Sequence, residues 1–207
     1  MLLRDGPEDA EHRLLLAHGA GAPMDSDFMQ SLAADLGARG VHVVRFEFPY
    51  MARARGGERR GAPDRMPVLE RAFEDTLRAL GDPAGWWIGG KSLGGRVATR
   101  VADALGVKGV LVYGYPFHPP RQPAALRTEH LATLRTPCLI VQGDRDPFGT
   151  RDEVAGYTLS SAIRCVWLGD GDHSFEPRKK SGRSLAQNFA QAVDASCAFL
   201  EGARPAG

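Results

Sequence analysis

A serine hydroxyl is a poor nucleophile until a base takes its proton, and one arrangement that presents it to an acyl carbon is a sharp turn between a strand and a helix. Gly90-Lys91-Ser92-Leu93-Gly94 has the spacing for such a turn, a serine with glycines two residues to either side. Glycine there removes side chains that would collide where a strand turns abruptly into a helix. The backbone N–H of Leu93 then opens the helix and points at the place where an oxyanion would form. The pattern alone is a weak signal. Its setting strengthens it, because an apolar run (86–88) precedes it and an amphipathic helical pattern follows.

The base and its orienting carboxylate are expected downstream, in the order serine, acid, histidine. Gly143-Asp144-Arg145-Asp146 follows the apolar run 138–142, and Gly171-Asp172-His173 follows the run 163–168. His173 is the expected general base. Asp146 is the expected acid, since it lies further into its loop and can turn toward the histidine; Asp144 is the rival, with a turn residue capping its own backbone as its other reading. Asp172 adjoins His173 and is poorly placed to bond its ring. A second oxyanion N–H is expected from His18-Gly19-Ala20-Gly21, with Ala20 the first choice and Gly21 the alternative, while His18 organises that loop.

These segments need a scaffold that brings them to one edge. Apolar runs at 14–17, 41–48, 86–88, 107–113, 138–142 and 163–168 are mostly continuous, as in strands buried on both faces. The run 41–48 alternates near its end, where Arg45 and Glu47 alternate with Phe46 and Phe48. Between the runs, apolar residues recur every four positions: Phe28/Leu32/Leu36, Leu69/Phe73/Leu77, Leu93/Val97/Val101/Leu105 and Leu185/Phe189/Val193/Cys197. Pro67 suits a first helical turn, and Gly81 and Gly106 suit helix ends. The alternation predicts an α/β fold with a mostly parallel central sheet, helices on both faces, and loops gathered along one edge.

Composition is consistent with a single domain spanning 1–207, with its core over about 14–200 and a frayed tail at 202–207. Lys and Arg number 26 against 25 Asp and Glu, so the near-zero net charge of +1 offers no global attraction to nucleic acid or an anionic membrane. The three cysteines, Cys138, Cys165 and Cys197, show no CxxC or metal-ligand spacing and read as small apolar residues. Neither a metal nor another cofactor is expected, because a dinucleotide fingerprint and the P-loop lysine spacing are both missing. Charged residues break up the first thirteen positions, which excludes a signal-peptide apolar stretch there, and no run reaches membrane-span length. A cytoplasmic location is expected.

Taken together, "LAHGAG", "RFEFPYM", "GGKSLGGRVA", "YGYPFHPP", "LRTEHL", "VQGDRDPFGT" and "GDHSF" resemble the α/β-hydrolase superfamily from about residue 14 to 200. Within it they look like a small lidless family, the one related to a testis-expressed hydrolase-like protein and to a subunit of a chromatin acetyltransferase complex. The resemblance implies Ser92, Asp146 and His173 as a triad and the hydrolase fold without a substantial cap domain. It supplies no substrate, and because some relatives act as scaffolds it leaves room for a non-catalytic protein-interaction module. Protein partners are therefore possible, although no sequence feature indicates one.

The connection 114–136 is too short for a cap beyond a brief helix near 126–134, so small or surface-presented acyl substrates are expected. Tyr50, Met51, Tyr115, Phe117, His118 and Phe148 fall in loops expected to ring the site. The segment 54–63 reads as a mobile loop. Its neighbourhood carries Arg53, Arg55, Arg59, Arg60 and Arg65, either as a solvated excursion or as an anion-reading loop over the pocket. In the second case, replacing Arg59 and Arg60 by Ala raises KM for anionic esters only.

Overall fold

Each apolar run becomes a strand. The computed structural model describes residues 1–59 and 61–202, so Arg60 and the tail beyond Gly202 lie outside the described residues. Seven strands form one sheet in the order β1-β3-β2-β4-β5-β6-β7. They are β1 (Leu2–Asp5), β2 (His12–Ala17), β3 (Val41–Phe46), β4 (Trp87–Lys91), β5 (Gly109–Tyr113), β6 (Cys138–Gly143) and β7 (Ile163–Leu168). All neighbours are parallel except β1, which runs antiparallel to β3. The helices are α1 (Asp27–Ala38), α2 (Pro49–Arg55), α3 (Met66–Leu80), α4 (Leu93–Leu105), α5 (Arg151–Val154) and α6 (Leu185–Gly202).

The unbroken apolar runs have a simple cause, because successive strand residues feed two separate cores. Leu15, Ala17, Val44, Phe46, Val110 and Val112 pack with α3 and α4 residues such as Phe73, Leu77, Val97 and Val101. Leu14, Leu16, Val43, Leu111 and Tyr113 face the other way, onto α1 and α6 through Leu32, Leu36, Phe189 and Val193. Helices thus cover both faces, as the pattern predicted. The helix ends also follow it, with Pro67 in the first turn of α3 and Gly106 ending α4 in the left-handed conformation.

Arg45 is the charged residue that interrupts the apolar run of β3. It is buried, and its guanidinium donates to the Asp5 carboxylate (3.1 and 2.8 Å) and to the Met24 carbonyl (2.8 Å). The partner strand β1 is short and charged, as sheet-edge strands commonly are, and therefore carries no apolar run to announce it. The segment 54–63 also differs from a free loop. Its first residues complete α2, where Arg55 pairs with Glu47 and Asp25 at 2.7 Å each, and Arg53 pairs with Asp64 at 2.8 Å. The helix expected near 126–134 is a single tighter turn, Glu129–Thr133, and Gly202, expected in the tail, closes α6. Cys138 is buried, while Cys165 and Cys197 are half-buried, and all three are free thiols. Among the described residues, no helix is long and apolar enough to cross a membrane.

Strand order decides where a site can form. β2 lies between β3 and β4, so the chain leaves β2 toward one side and returns to build on the other. Crevices in open parallel sheets lie at such reversals, beyond the carboxyl ends of the strands. In register, Ala17 of β2 sits beside Gly90 of β4, and Lys91 beside Tyr113 of β5. The loops carrying His18–Gly21, Ser92 and Gly114 therefore leave the sheet side by side.

Candidate active site

Ser92 caps α4 with φ 51° and ψ −112°, a strained conformation for a residue with a side chain. Its N–H is held by the Tyr113 carbonyl at 3.0 Å. The glycine two residues on is a steric requirement: a Cβ on Gly94 would lie 2.4 Å from the Ala17 carbonyl oxygen. The helix can start this close to β2 only without that atom, and this raises the serine at the sheet edge.

His173 Nε2 lies 2.9 Å from Ser92 Oγ, and its Nδ1 lies 2.7 Å from Asp146 Oδ2. Asp146 is fully buried. Phe148 N–H donates to its Oδ1 (2.8 Å) and Gln142 Nε2 to its Oδ2 (3.0 Å), so both oxygens are held from the protein side. The matching arrangement puts a proton on Nδ1 facing the carboxylate and leaves Nε2 to accept from the serine. Such a relay can take the hydroxyl proton as Oγ attacks. Asp144 lies away from the ring, with Oδ1 buried and without a hydrogen-bond partner among the described residues. Asp172 is a loop residue whose Oδ1 accepts from Ser174 and Glu176 N–H.

Burial pushes the His173 imidazole below its ordinary pKa; the Asp146 hydrogen bond opposes this, and the Lys91 charge adds to it. A lowered pKa keeps the ring neutral, and so able to act as a base, further into acid. Lys91 precedes Ser92 and is buried. Its ammonium donates to the His173 carbonyl (2.6 Å) and stands 5.2 Å from the Phe28 ring centre. Burial lowers its own pKa to about 8, against the pull of Asp146 and Asp172. Gly114, at φ 71°, makes room for this approach, since a Cβ there would lie 2.8 Å from Lys91 Nζ. In Lys91→Met the positive charge and the bond to the His173 segment both vanish. The acid limb of a kcat/KM–pH profile should then move to higher pH. An unmoved limb would show that Lys91 does not act on the imidazole.

Leu93 N–H opens α4. Ala20 lies in a loop braced from below: His18 Nδ1 meets the Gly19 carbonyl (2.7 Å), Phe48 N–H donates to His18 Nε2 (3.1 Å), and the Tyr50 hydroxyl lies 3.2 Å from Gly19 O and 3.3 Å from Ala20 O. The open cleft over Ser92 has a volume of about 330 Å³ and is lined by Gly19–Ala22, Phe28, Met29, Phe148 and His173.

Five of the six loop residues expected to ring the site do not line this cleft. Tyr50, Met51, Tyr115, Phe117 and His118 are all buried, because aromatic residues in short connections serve as their anchors. Tyr50 braces the oxyanion loop and Met51 joins the α3/α4 core. The Tyr115 hydroxyl donates to the Arg127 carbonyl (2.8 Å), Phe117 packs on Tyr115, and His118 meets the Pro119 carbonyl (2.8 Å). Phe148 alone of the six reaches the cleft, its ring 4.2 Å from that of His173. The arginines at 53–65 that are described do not line it either, and Arg53 and Arg55 are already paired with carboxylates.

Lys91, Gln142 and Phe28 are site residues that pattern reading passes over. Lys91 had a signal, a charge within an otherwise small and apolar turn motif. So did Gln142, a polar residue near the end of the apolar strand β6. Phe28 read simply as the start of a helical stripe. Among the described residues, no group of three or more His, Cys, Asp or Glu could hold a metal ion.

A family model described as an alpha/beta hydrolase domain matches residues 10–201. Solved structures similar to this chain include an α/β serine hydrolase without lid from Xanthomonas campestris. It has 21% identity and a TM-score of 0.68, covering 98% of this chain and 90% of that one. An alpha-beta serine hydrolase homologue from Coxiella burnetii has 22% identity and a TM-score of 0.70, covering 94% and 90%. A dienelactone hydrolase from Anabaena variabilis has 23% identity and a TM-score of 0.67, covering 98% and 92%. At these identities the likeness is one of fold: the mostly parallel seven-stranded sheet with its flanking helices.

Proposed function

The chain belongs to the alpha/beta hydrolase domain family, and from that premise we propose that it is a serine hydrolase cleaving an ester or related acyl substrate through Ser92, His173 and Asp146. The observation that carries the reading is the unbroken relay from Ser92 Oγ through the His173 ring to a buried carboxylate, at 2.9 and 2.7 Å. A scaffold gains nothing from a strained serine backbone aligned with a histidine and a buried acid.

In the first half-reaction His173 Nε2 takes the Ser92 proton as Oγ bonds to the acyl carbon. Asp146 fixes the ring's tautomer and stabilises the imidazolium. The N–H groups of Leu93 and Ala20 hold the tetrahedral oxyanion; losing one such donor typically costs about 100- to 1,000-fold in kcat. The imidazolium then protonates the leaving group. In the second half, His173 activates water, which attacks the acyl-serine and regenerates the hydroxyl.

Between β5 and β6 the structure has a single short helical turn, Glu129–Thr133, in place of a cap. A cleft this open favours small or surface-presented acyl groups over long acyl chains. No cofactor enters the scheme. The alternative, a protein-interaction module, comes from the finer resemblance to the testis-expressed and acetyltransferase-complex group. Rapid mixing with an activated acetate ester separates the two: the hydrolase gives a burst of leaving group and an acetyl adduct on the Ser92 peptide after acid quench. Release with neither burst nor adduct would favour the interaction module.

A further inference from the structure

A cleft larger than the one over Ser92 lies beside it. It lies between α1 and α6, has a volume of about 810 Å³, and shares Phe28 and Ser174 with the Ser92 cleft, so the two adjoin. Its floor is aromatic. The Phe28 ring centre lies 4.9 Å from that of Phe189 and 5.2 Å from that of Phe175, which is buried beneath them. Leu185 extends this apolar surface and is 42% exposed, high for a large side chain on a packed helix.

The rim carries Asp27, Asp35 and Glu176. None of the three side chains forms an ion pair or hydrogen bond among the described residues. The cations around them are engaged elsewhere. Arg39, which feels Asp35, is bridged to Asp194 (2.7 Å), and Arg145, which reaches the Glu176 main chain, donates to the Asp170 carbonyl (2.8 Å). Lys91 lines the Ser92 cleft and not the larger one. Positive charge therefore stands beside the serine, and beyond Phe28 stand three carboxylates without an ion-pair partner among the described residues.

We propose that the α1/α6 cleft receives a cationic group, an alkylammonium, carried by the acyl substrate whose scissile bond lies at Ser92. The inference deepens the serine-hydrolase reading and rests on it. Aromatic faces and carboxylates both attract an ammonium, and an apolar floor suits its alkyl substituents. The same charges set direction: Lys91 repels the cation from the serine, and the acidic rim draws it to the far side. A substrate bearing a remote carboxylate is disfavoured there.

The test compares three acetate esters of similar size, whose alcohol portions end in a trimethylammonium, its uncharged dimethylbutyl counterpart, and a carboxylate. The expected result is a kcat/KM about tenfold higher for the cationic ester than for the neutral one, weakening with salt. In Asp35→Asn/Glu176→Gln that ratio should fall toward one, the neutral ester on the same variant serving as the internal control for folding. Equal rates for cationic and neutral esters in the wild type would overturn the inference and leave the hydrolase reading standing. If no ester is turned over, binding decides. In a titration of Ser92→Ala with a butyltrimethylammonium salt, shifts of the Phe28 and Phe189 ring signals support the cleft, and unchanged signals overturn it.

Discussion

Replacing Ser92 by Ala should lower the turnover of an activated ester by about a millionfold, leaving only what binding and oxyanion stabilisation provide. Among the described residues the hydroxyl has one partner, His173, so its loss should leave the fold intact. Backbone strain makes a companion prediction. Alanine at φ 51° is as strained as serine, whereas glycine adopts that conformation freely. Ser92→Gly should therefore be as inactive as Ser92→Ala yet more stable, by about 1 kcal/mol. Thermal unfolding of both variants beside the wild type reads the difference. A Gly variant no more stable than the Ala variant would contradict a turn held under strain.

Asp146→Asn should cost about ten-thousandfold in kcat while the protein remains folded. The carboxylate accepts from His173, Gln142 and Phe148 together. An amide can replace one oxygen only by turning an acceptor into a donor. Facing Nδ1, its NH2 would favour the tautomer with the proton on Nε2, pointing at Ser92, where no base then remains. Facing Phe148 N–H instead, in the place of Oδ1, it leaves that buried donor unpaired, at about 1–3 kcal/mol of stability. Asp144→Asn, its sequence rival, should leave turnover nearly unchanged, because its carboxylate does not reach the imidazole. Equal losses in the two variants would overturn the assignment of the acid. Steady-state kinetics on both, with unfolding curves as controls, make the comparison.

The sheet was largely legible, and for a physical reason. Strands buried on both faces need continuous apolar runs, and such runs are hard to mistake when glycine-rich loops bound them. The edge strand β1 was not legible, since its two leucines are only half-buried and too few to make a run, and pairing with β3 and the Arg45–Asp5 ion pair help to hold it. Arg45 is buried against that partner, which alternation in sequence does not reveal. The residues of the relay could be read from turn chemistry and order along the chain, because each follows a parallel strand and such strands end on one edge.

Side-chain direction within loops was the illegible part. Tyr115 and Phe117 share a short, proline-stiffened connection with no cap above it, and without the fold nothing distinguishes a ring facing the cleft from one anchoring the loop beneath. Burial settles it for them, and contact with His173 settles it for Phe148. The arginines of 53–65 posed the same problem in charge: their carboxylate partners include Asp25 and Glu47, which lie before them in sequence and reach them only once α2 has folded. Phe28 and Phe189 belong to two different helical stripes, so the cleft between them exists only when α1 and α6 pack together.

The central claim is that Ser92 is a nucleophile activated by His173. Treatment with a fluorophosphonate, followed by peptide mass spectrometry, tests it most directly on the wild type, Ser92→Ala and His173→Ala. The account predicts a single phosphonylated peptide carrying Ser92 in the wild type and none in either variant. A folded wild-type protein that stays unmodified, or a His173→Ala variant labelled as fast as the wild type, would contradict it.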